Sequence, residues 1–249
     1  GAEKFKVLFE KFSFAETRYL NRFMDYEYFK TNKSRVQKLF RQENNPLSVI
    51  VNEDENGYVT IEDGFSSDYT IEITDFKGNA MRITIPIEGK AEENTEPKNI
   101  KETEHYVYHN QGTAITKGKF DIYIPAESLY ENTYLDIESQ GDTLHFHENT
   151  IPIHKNITIS VDVSNYAETD LAKLYIGELN YRGLPSYNNT TRRGNKLTTR
   201  TRTFGDYIVA MDTSPPSIKP VNFNDGKWIS SNTTLKVKIE DDRSGISSY

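Results

Sequence analysis

Apolar and polar residues alternate along several short stretches of this chain, and turn-forming residues separate the stretches. The clearest alternation fills residues 157–163, and a second fills residues 120–124 and stops at Pro125. A period of two is typical of a half-buried β-strand, because successive side chains point to opposite faces of a sheet. Short strands at this spacing predict a β-sandwich domain over residues 105–212.

The end of that domain is predicted from a strand followed by a proline pair. Residues 199–209 carry the strand pattern, and Pro215 and Pro216 follow shortly afterwards. Two adjacent prolines fix two φ angles and remove two backbone donors, so they favour an extended joint. Apolar residues alternate again up to Ile239, which predicts that residues 213–249 begin a third, incomplete Ig-like domain.

The first 90 residues predict another Ig-like β-sandwich domain. Apolar residues alternate with polar ones over residues 71–73 and again over residues 81–87. The two stretches flank a turn around Gly78, and this combination indicates a β-hairpin.

One segment of this first domain carries a helical signal. Ser13 and Glu16 have the spacing of a capping box, and apolar residues recur at helical spacing over residues 19–24. The density of aromatic residues fits a strand equally well, so a short helix near residues 15–30 and a further strand both remain open.

Residues 91–104 are predicted to be an acidic linker. Between Glu88 and Glu104 the chain has six Glu and three Lys, and Ile100 is the sole large apolar residue. Such a segment buries too little apolar surface to order itself. The predicted fold is therefore all-β, with tandem Ig-like or β-sandwich domains and at most a short helix in the first.

The composition argues against several classes of protein. The net charge of −7 is opposite to the basic footprint of a general nucleic-acid binder. No segment approaches the roughly 18 consecutive apolar residues of a membrane-spanning helix. There are no cysteines, which excludes disulfides, thiolate metal sites and a cysteine nucleophile. The mean hydropathy of −0.71 fits several thin sandwiches better than one large core.

The histidines are the strongest candidates for metal ligands in this sequence. On a strand, the imidazoles of His145 and His147 would face the same side, and His154 lies nearby in sequence. Three such ligands could hold a zinc ion, but exposed strand faces also carry histidines, and we favour a polar strand face. His105 and His109 would meet only on a helix, whereas their stretch predicts a strand.

Residues 52–63 nearly match a calcium-binding loop. Oxygen-bearing side chains occupy its first, third and fifth positions, Gly57 the sixth, and a carboxylate the twelfth. Two residues depart from the pattern, because Asn52 replaces the leading Asp and Asp63 is shorter than the usual bidentate Glu. Since both flanks also have strand rather than helix patterns, we favour an acidic turn.

Two surface features could bind a polymer. A basic run interrupts the acidic chain at Arg192, Arg193, Lys196, Arg200 and Arg202. It could attract an anionic wall glycan, although alternation of Arg with Thr is more typical of a solvated strand face. Tyrosine is abundant, and exposed aromatic rings could either bind sugars or fill the edges of thin sandwiches. The aromatic candidates are Tyr26, Tyr28, Phe29, Tyr181 and Tyr187.

Three stretches of the chain carry a family resemblance. They are residues 12–21, Asp25-Tyr26 with residues 37–40, and residues 199–220, which contain the motifs Phe-Gly-Asp-Tyr and Asp-Thr-Ser-Pro-Pro. Together they resemble the region after the catalytic domain in exported lysostaphin-type zinc metallopeptidases (peptidoglycan endopeptidases) of Gram-negative bacteria. In such proteins a peptidase domain that hydrolyses peptidoglycan cross-links precedes a series of β-sandwich domains.

The resemblance implies a peptidase as the parent protein and a non-catalytic region here. The active site of that family uses an early His and Asp and a later His-x-His, and all of them lie upstream of the segment that residues 14–16 resemble. In this chain the first histidine is His105, and the single His-x-His lies downstream at residues 145–147. No catalytic, cofactor-binding or metal-binding residue can therefore be carried over.

We expect these domains to space or dock the catalytic domain of an exported cell-wall metallopeptidase without being an enzyme themselves. The expected location is the periplasm or outer surface of a Gram-negative bacterium. The expected partners are the upstream catalytic domain and cell-wall glycan or a surface protein, with no cofactor and no nucleic acid. The alternative is an adhesin or glycan-binding β-sandwich module of the bacterial surface.

Overall fold

The computed structural model consists mostly of antiparallel β-strands, which confirms the all-β prediction. The structure describes residues 2–11, 13–91, 101–226, 228, 230, 234–246 and 248. The chain forms two compact units, one of residues 1–24 and 37–101 and the other of residues 25–36 and 102–249. Most of the predicted linker lies outside the described residues, at 92–100, and the predicted domain boundaries remain predictions.

The first unit contains two antiparallel strand pairs and a small core. Its strands are β1 (Phe5–Val7), β2 (Ile50–Glu53), β3 (Ser66–Thr74) and β4 (Ala80–Glu88). Strands β1 and β2 pair with each other, and the buried side chains beside them are Phe23, Leu47, Val49 and Ile50. Strands β3 and β4 form the predicted hairpin, with Gly78 at a φ of 85° in its turn.

The segment near residues 15–30, whose sequence fits both a helix and a strand, is helical. A capping box is present, since the Ser13 backbone N–H donates to the Glu16 carboxylate at 2.8 Å. A 3-10 helix (Phe14–Tyr19) continues into α1 (Leu20–Phe23), and α2 (Tyr26–Asn32) follows. Among the described residues, no helix has both the length and the apolar character needed to cross a membrane.

The second unit contains a β-sandwich of two five-stranded antiparallel sheets. Its strands are β5 (His105–Val107), β6 (Thr113–Lys117), β7 (Phe120–Ile124), β8 (Thr133–Leu135), β9 (Ile137–Gln140), β10 (Thr143–Phe146), β11 (Ile157–Asp162), β12 (Leu174–Leu179), β13 (Pro185–Tyr187), β14 (Thr190–Arg193), β15 (Lys196–Thr201), β16 (Gly205–Met211), β17 (Ser217–Pro220) and β18 (Val237–Glu240). One sheet has the order β13-β12-β16-β10-β9 and the other β14-β15-β11-β7-β6. Strands β5 and β8, and strands β17 and β18, form separate two-stranded sheets.

The two five-stranded sheets enclose one hydrophobic core. Strand β11 lies between β7 and β15, and its Ile157, Ile159 and Val161 are fully buried. Leu144 and Phe146 of β10, in the other sheet, belong to the same buried cluster. Each fully buried side chain of this size contributes about 1.5–3 kcal/mol, so this core is the main source of stability in the unit.

The single strand predicted over residues 199–209 is wrong, because two strands in different sheets occupy this segment. Strand β15 ends at Thr201 in one sheet, and β16 begins at Gly205 in the other. Gly205 has a φ of 143°, which non-glycine residues rarely adopt. The Tyr207 hydroxyl donates to the Thr203 carbonyl at 2.8 Å, which is the arrangement of a tyrosine corner. The apolar alternation continues through the corner and therefore conceals it.

Helix α2 belongs to the second unit, whereas the sequence pattern groups it with the first 90 residues. The Asp25 carboxylate caps the helix by accepting the Tyr28 backbone N–H at 3.0 Å. Tyr26 is buried, and its hydroxyl donates to the side-chain oxygen of Asn149 at 3.0 Å. Burial and the nearby Glu178 carboxylate raise the pKa of Tyr26 to about 12. The helix is thus anchored to the sandwich through Tyr26.

Candidate binding surface

Three tyrosines, two exposed and one half-buried, form an aromatic cluster at the ribbon of β5 and β8. Tyr106 and Tyr108 lie on either side of the buried Val107, so the strand alternation turns both rings outward. Tyr134 lies directly opposite Tyr106 on β8. The ring centroids of Tyr106 and Tyr134 are 4.7 Å apart, and those of Tyr106 and Tyr108 are 5.0 Å apart in an edge-to-face arrangement. We call these three residues the tyrosine cluster.

Two rings of the tyrosine cluster are accessible, and the ribbon that carries them packs against the core. Tyr106 is 42% exposed and Tyr108 is 49% exposed. The ribbon beneath them is held to the rest of the unit by the buried Val107 and Leu135. Cross-strand aromatic pairs contribute about 0.2–1 kcal/mol to a ribbon, so the Tyr106–Tyr134 contact has a structural use as well.

The groups around the tyrosine cluster are polar. Desolvation, and then the charge of Glu102, raise the pKa of Tyr134 above its ordinary value. The Asn132 side-chain oxygen accepts the backbone N–H of His109 at 2.9 Å, next to Tyr108. Aromatic faces flanked by hydroxyls, carboxylates and amides can contact the apolar face of a sugar ring and hydrogen-bond its hydroxyls.

The histidines proposed as metal ligands are each engaged with neighbouring groups. His145 points outward on β10 and contacts the Asp206 carboxylate of β16, with 2.6 Å between His145 Nδ1 and Asp206 Oδ1. His147 lies just past the end of β10 at a φ of 54°, so the two histidines do not share a strand face. The Nδ1 atom of His147 accepts the Asp136 backbone N–H at 3.1 Å.

The other histidines do not complete a metal-ligand set. The His154 ring stacks on Tyr130, with 5.7 Å between the ring centroids. His105 lies on β5, as predicted, and its Nε2 atom is 3.7 Å from the Glu104 carboxylate. Within the part of the chain that the structure describes, no three His, Cys, Asp or Glu side chains are close enough to hold a metal ion together.

The calcium-like stretch has neither helical flank of a calcium-binding hand. Its first two residues, Asn52 and Glu53, belong to β2, and a 3-10 turn over Glu55–Gly57 follows. The side-chain amide of Asn52 donates to Glu3 at 2.6 Å, and Asp54 pairs with Lys4. These two side chains therefore connect β2 and the residue after it to Glu3 and Lys4.

The basic run is divided between two strands, and part of it is paired. Arg192 and Arg193 lie on the outer strand β14, and Arg200 is exposed on β15. Lys196 pairs with the Asp121 carboxylate at 2.6 Å. Thr199 and Thr201 are buried between the exposed positions, so the alternation is that of a strand with one solvated face.

The aromatic candidates from the sequence fall on two segments, since Tyr26, Tyr28 and Phe29 lie on α2, and Tyr181 and Tyr187 lie in a turn and in the strand that follows it, β13. Tyr26 is buried as an anchor of α2, whereas Tyr181 is 88% exposed at a turn. Tyr187 contacts Tyr175, with 5.4 Å between the ring centroids. The members of the tyrosine cluster were missed, although the pattern Tyr106-Val107-Tyr108 could have indicated two rings on one strand face. The contribution of Tyr134 depends on the pairing of β5 with β8, which has no local signal.

Comparison with known protein families identifies the sandwich but not the rest of the chain. Residues 104–212 match the family model described as the Zu5-like domain. The match spans both five-stranded sheets and the tyrosine cluster, and covers less than half of the chain. No curated protein and no solved structure matches the chain significantly. Residues 104–212 are therefore a β-sandwich module with a Zu5-like sequence.

Proposed function

We propose that the chain is the non-catalytic β-sandwich region of an exported cell-wall metallopeptidase, and that it spaces or docks the catalytic domain. Its location would be the periplasm or the outer surface of a Gram-negative bacterium. The support for this parentage is the resemblance of residues 12–21, of Asp25-Tyr26 with residues 37–40, and of residues 199–220 to the region after the catalytic domain in that family. A His–Asp pair and a later His-x-His encoded upstream of Gly1 would establish the parent.

The structural support for a non-catalytic role is the engagement of the histidines. His145 faces Asp206, His147 accepts a backbone N–H, and His154 stacks on Tyr130. Purified protein incubated with peptidoglycan and zinc should release no muropeptides. Release of muropeptides that is lost in His147→Ala would contradict this role and would assign the histidines to catalysis.

The tyrosine cluster favours a second candidate, a glycan-binding module. Its three rings are contiguous and flanked by polar groups, and two of them, Tyr106 and Tyr108, are exposed. Tyrosine is a residue that frequently dominates binding energies. The two candidates are compatible, because a module that binds wall glycan would also hold a linked catalytic domain at the wall.

The test of glycan binding is co-sedimentation with insoluble peptidoglycan. Tyr106→Ala and Tyr108→Ala should each weaken retention by about tenfold, as expected for loss of a central aromatic contact. Tyr181→Ala is the matched control, since this ring is exposed outside the tyrosine cluster. Retention that is unchanged in both cluster variants, or reduced equally in the control, would contradict binding through the tyrosine cluster.

A further inference from the structure

The β3–β4 hairpin exposes a large apolar face. Its odd-numbered residues lie on one side of the ribbon and pair across it, as in Ile71 with Ile83 and Ile73 with Met81. Ile73 is 69% exposed and Met81 is 78% exposed. A two-stranded ribbon is marginally stable alone in water, and exposed apolar patches of this kind mark interaction surfaces.

The two edges of the ribbon differ in their backbone groups. At its ends, Asp75 N–H donates to the Asn79 carbonyl at 2.9 Å and Gly89 N–H to the Phe65 carbonyl at 2.8 Å. These bonds join odd-numbered pairs, so the N–H groups of even-numbered residues point outward from the ribbon. On β4 the outward position 86 is a proline, which has no N–H. Every outward position of β3 retains its N–H donor.

The charges on β3 disfavour pairing with a second copy of the same strand. Asp68 and Glu72 lie on the polar face of β3, where Glu72 also pairs with Arg82 of β4. The antiparallel register that pairs all nine residues of β3 with themselves would place Asp68 opposite Glu72 of the second copy, twice. Like charges directly opposite each other destabilise a strand pair. Residues 62–90 carry six carboxylates and three Lys or Arg, so a basic partner is favoured.

We propose that the outer edge of β3 pairs with an edge strand of a partner β-sheet protein, in which large apolar and basic residues alternate. The backbone of the partner strand would form hydrogen bonds with the outward N–H and C=O groups of β3. Its apolar residues would extend the exposed face of the ribbon, and its basic residues would lie beside Asp68 and Glu72. This surface belongs to the first unit, whereas the sandwich and the tyrosine cluster belong to the second.

A synthetic peptide tests the recognition chemistry. The probe is the nine-residue peptide Lys-Ile-Thr-Ile-Lys-Ile-Thr-Ile-Lys, and its control replaces every Lys with Glu. The full-length protein should bind the Lys peptide at least about tenfold more tightly than the Glu peptide at low salt, because opposite charges meet across the new strand pair. Hydrogen exchange should slow at the outward amides of Thr70 and Glu72.

Two proline variants test which edge is used. Thr70 and Thr84 are cross-strand partners whose hydroxyls lie 3.1 Å apart, and both amides point outward. Thr70→Pro removes an N–H from the β3 edge, and Thr84→Pro removes one from the β4 edge, at the same depth of the hairpin. Thr70→Pro should weaken binding of the Lys peptide by about tenfold, whereas Thr84→Pro should leave it unchanged.

Three results would overturn the proposal. The first is equal binding of the Lys and Glu peptides. The second is amide protection that appears on β4 rather than on β3, which can be measured in the wild-type protein even if a proline variant unfolds the hairpin. The third is a concentration-dependent dimer of the wild-type protein that Thr70→Pro abolishes, since a second copy would then occupy the edge.

Discussion

Strands β11 and β4 have nearly the same sequence pattern and opposite surroundings. In β11, Ile159 and Val161 alternate with polar residues, and both are completely buried. In β4, Ile83 and Ile85 also alternate with polar residues, yet they are 56% and 40% exposed. Strand β11 has a neighbour on each side and a second sheet facing it, whereas β4 has β3 as its only paired strand within the described part of the chain.

The comparison distinguishes the orientation of the apolar face of a strand from the burial of that face. Alternation states which face of a strand is apolar, because side chains point to opposite faces at each step. It does not state what covers that face, because the covering layer comes from residues far away in sequence. In the sandwich, the second sheet covers the apolar face. In the hairpin the apolar face is exposed, and we propose that a partner strand pairs with the neighbouring β3 edge.

The largest expected effect comes from truncating the same residue type in the two regions. Ile159→Ala should lower the free energy of unfolding by about 2–5 kcal/mol, because it leaves a cavity in a closed core. Ile83→Ala should cost less than about 1 kcal/mol, because its side chain is already largely in water. Urea unfolding followed by circular dichroism measures both. Equal losses would mean that the apolar face of the hairpin is covered in solution.

A smaller effect is expected at the tyrosine corner, which has no counterpart in the hairpin. The Tyr207 hydroxyl lies 2.8 Å from both the Thr203 carbonyl and the Thr201 hydroxyl. Tyr207→Phe should destabilise the sandwich by about 1–3 kcal/mol, because buried polar partners lose their hydrogen bonds. Tyr175→Phe is the matched control, because the Tyr175 hydroxyl is buried with no hydrogen-bond partner among the described residues. Equal losses in the two variants would contradict the role of the corner.

The same variant has a distinct pH signature. Burial, and then the nearby Glu178 charge, raise the pKa of Tyr207 to about 12. An unfolded tyrosine titrates near pH 10, so this contribution to stability is complete below about pH 10 and is lost as the pH rises towards 12. Tyr207→Phe should therefore reduce the loss of stability in this range, as measured by urea midpoints between pH 9 and 12.

The smallest effect is expected from carboxylates near the surface. Desolvation raises the pKa of Asp142, but hydrogen bonds from Lys119 and Tyr166 outweigh it and hold the pKa below its usual value. This stability is present above the unfolded pKa of about 3.9 and is lost as the pH falls through the lower folded value. Asp142→Asn should therefore reduce the loss of stability on acidification below about pH 4.

The hairpin provides a comparison at neutral pH for the size of a surface ion-pair contribution. Glu72 pairs with Arg82 across the ribbon, and both side chains are exposed. Glu72→Gln should change the free energy of unfolding at neutral pH by no more than about 1 kcal/mol, as is usual for surface ion pairs. An acid response of Asp142→Asn identical to that of the wild type would contradict the contribution of the Lys119–Asp142–Tyr166 network.

Local features of the fold were predictable from the sequence. The hairpin of β3 and β4 and the capping box at Ser13 depend on neighbouring residues, and both were identified. The corner at Gly205 was not, because the alternation continues through it and the change of sheet depends on distant pairing. The attachment of α2 through Tyr26 and Asn149 also joins residues far apart in sequence.

The candidate binding surface was less predictable than the fold. Tyr106 and Tyr108 lie two residues apart and are accessible to pattern analysis, but Tyr134 joins them only through pairing of β5 with β8. For the histidine candidates, by contrast, the sequence suggests an arrangement that the structure does not have. Spacing alone places His145 and His147 on one strand face, whereas the left-handed backbone at His147 ends the strand between them.

The most direct test of the contrast between sandwich and hairpin is hydrogen exchange of the full-length protein, followed by mass spectrometry. Peptides covering residues 157–162 should exchange only through large-scale unfolding, because β11 is buried between two strands and beneath a second sheet. Peptides covering residues 66–88 should exchange orders of magnitude faster, because among the described residues no third strand joins the ribbon and its apolar face is largely exposed. Equal protection of the two regions would contradict the account, since it would require that the protein alone already covers the hairpin.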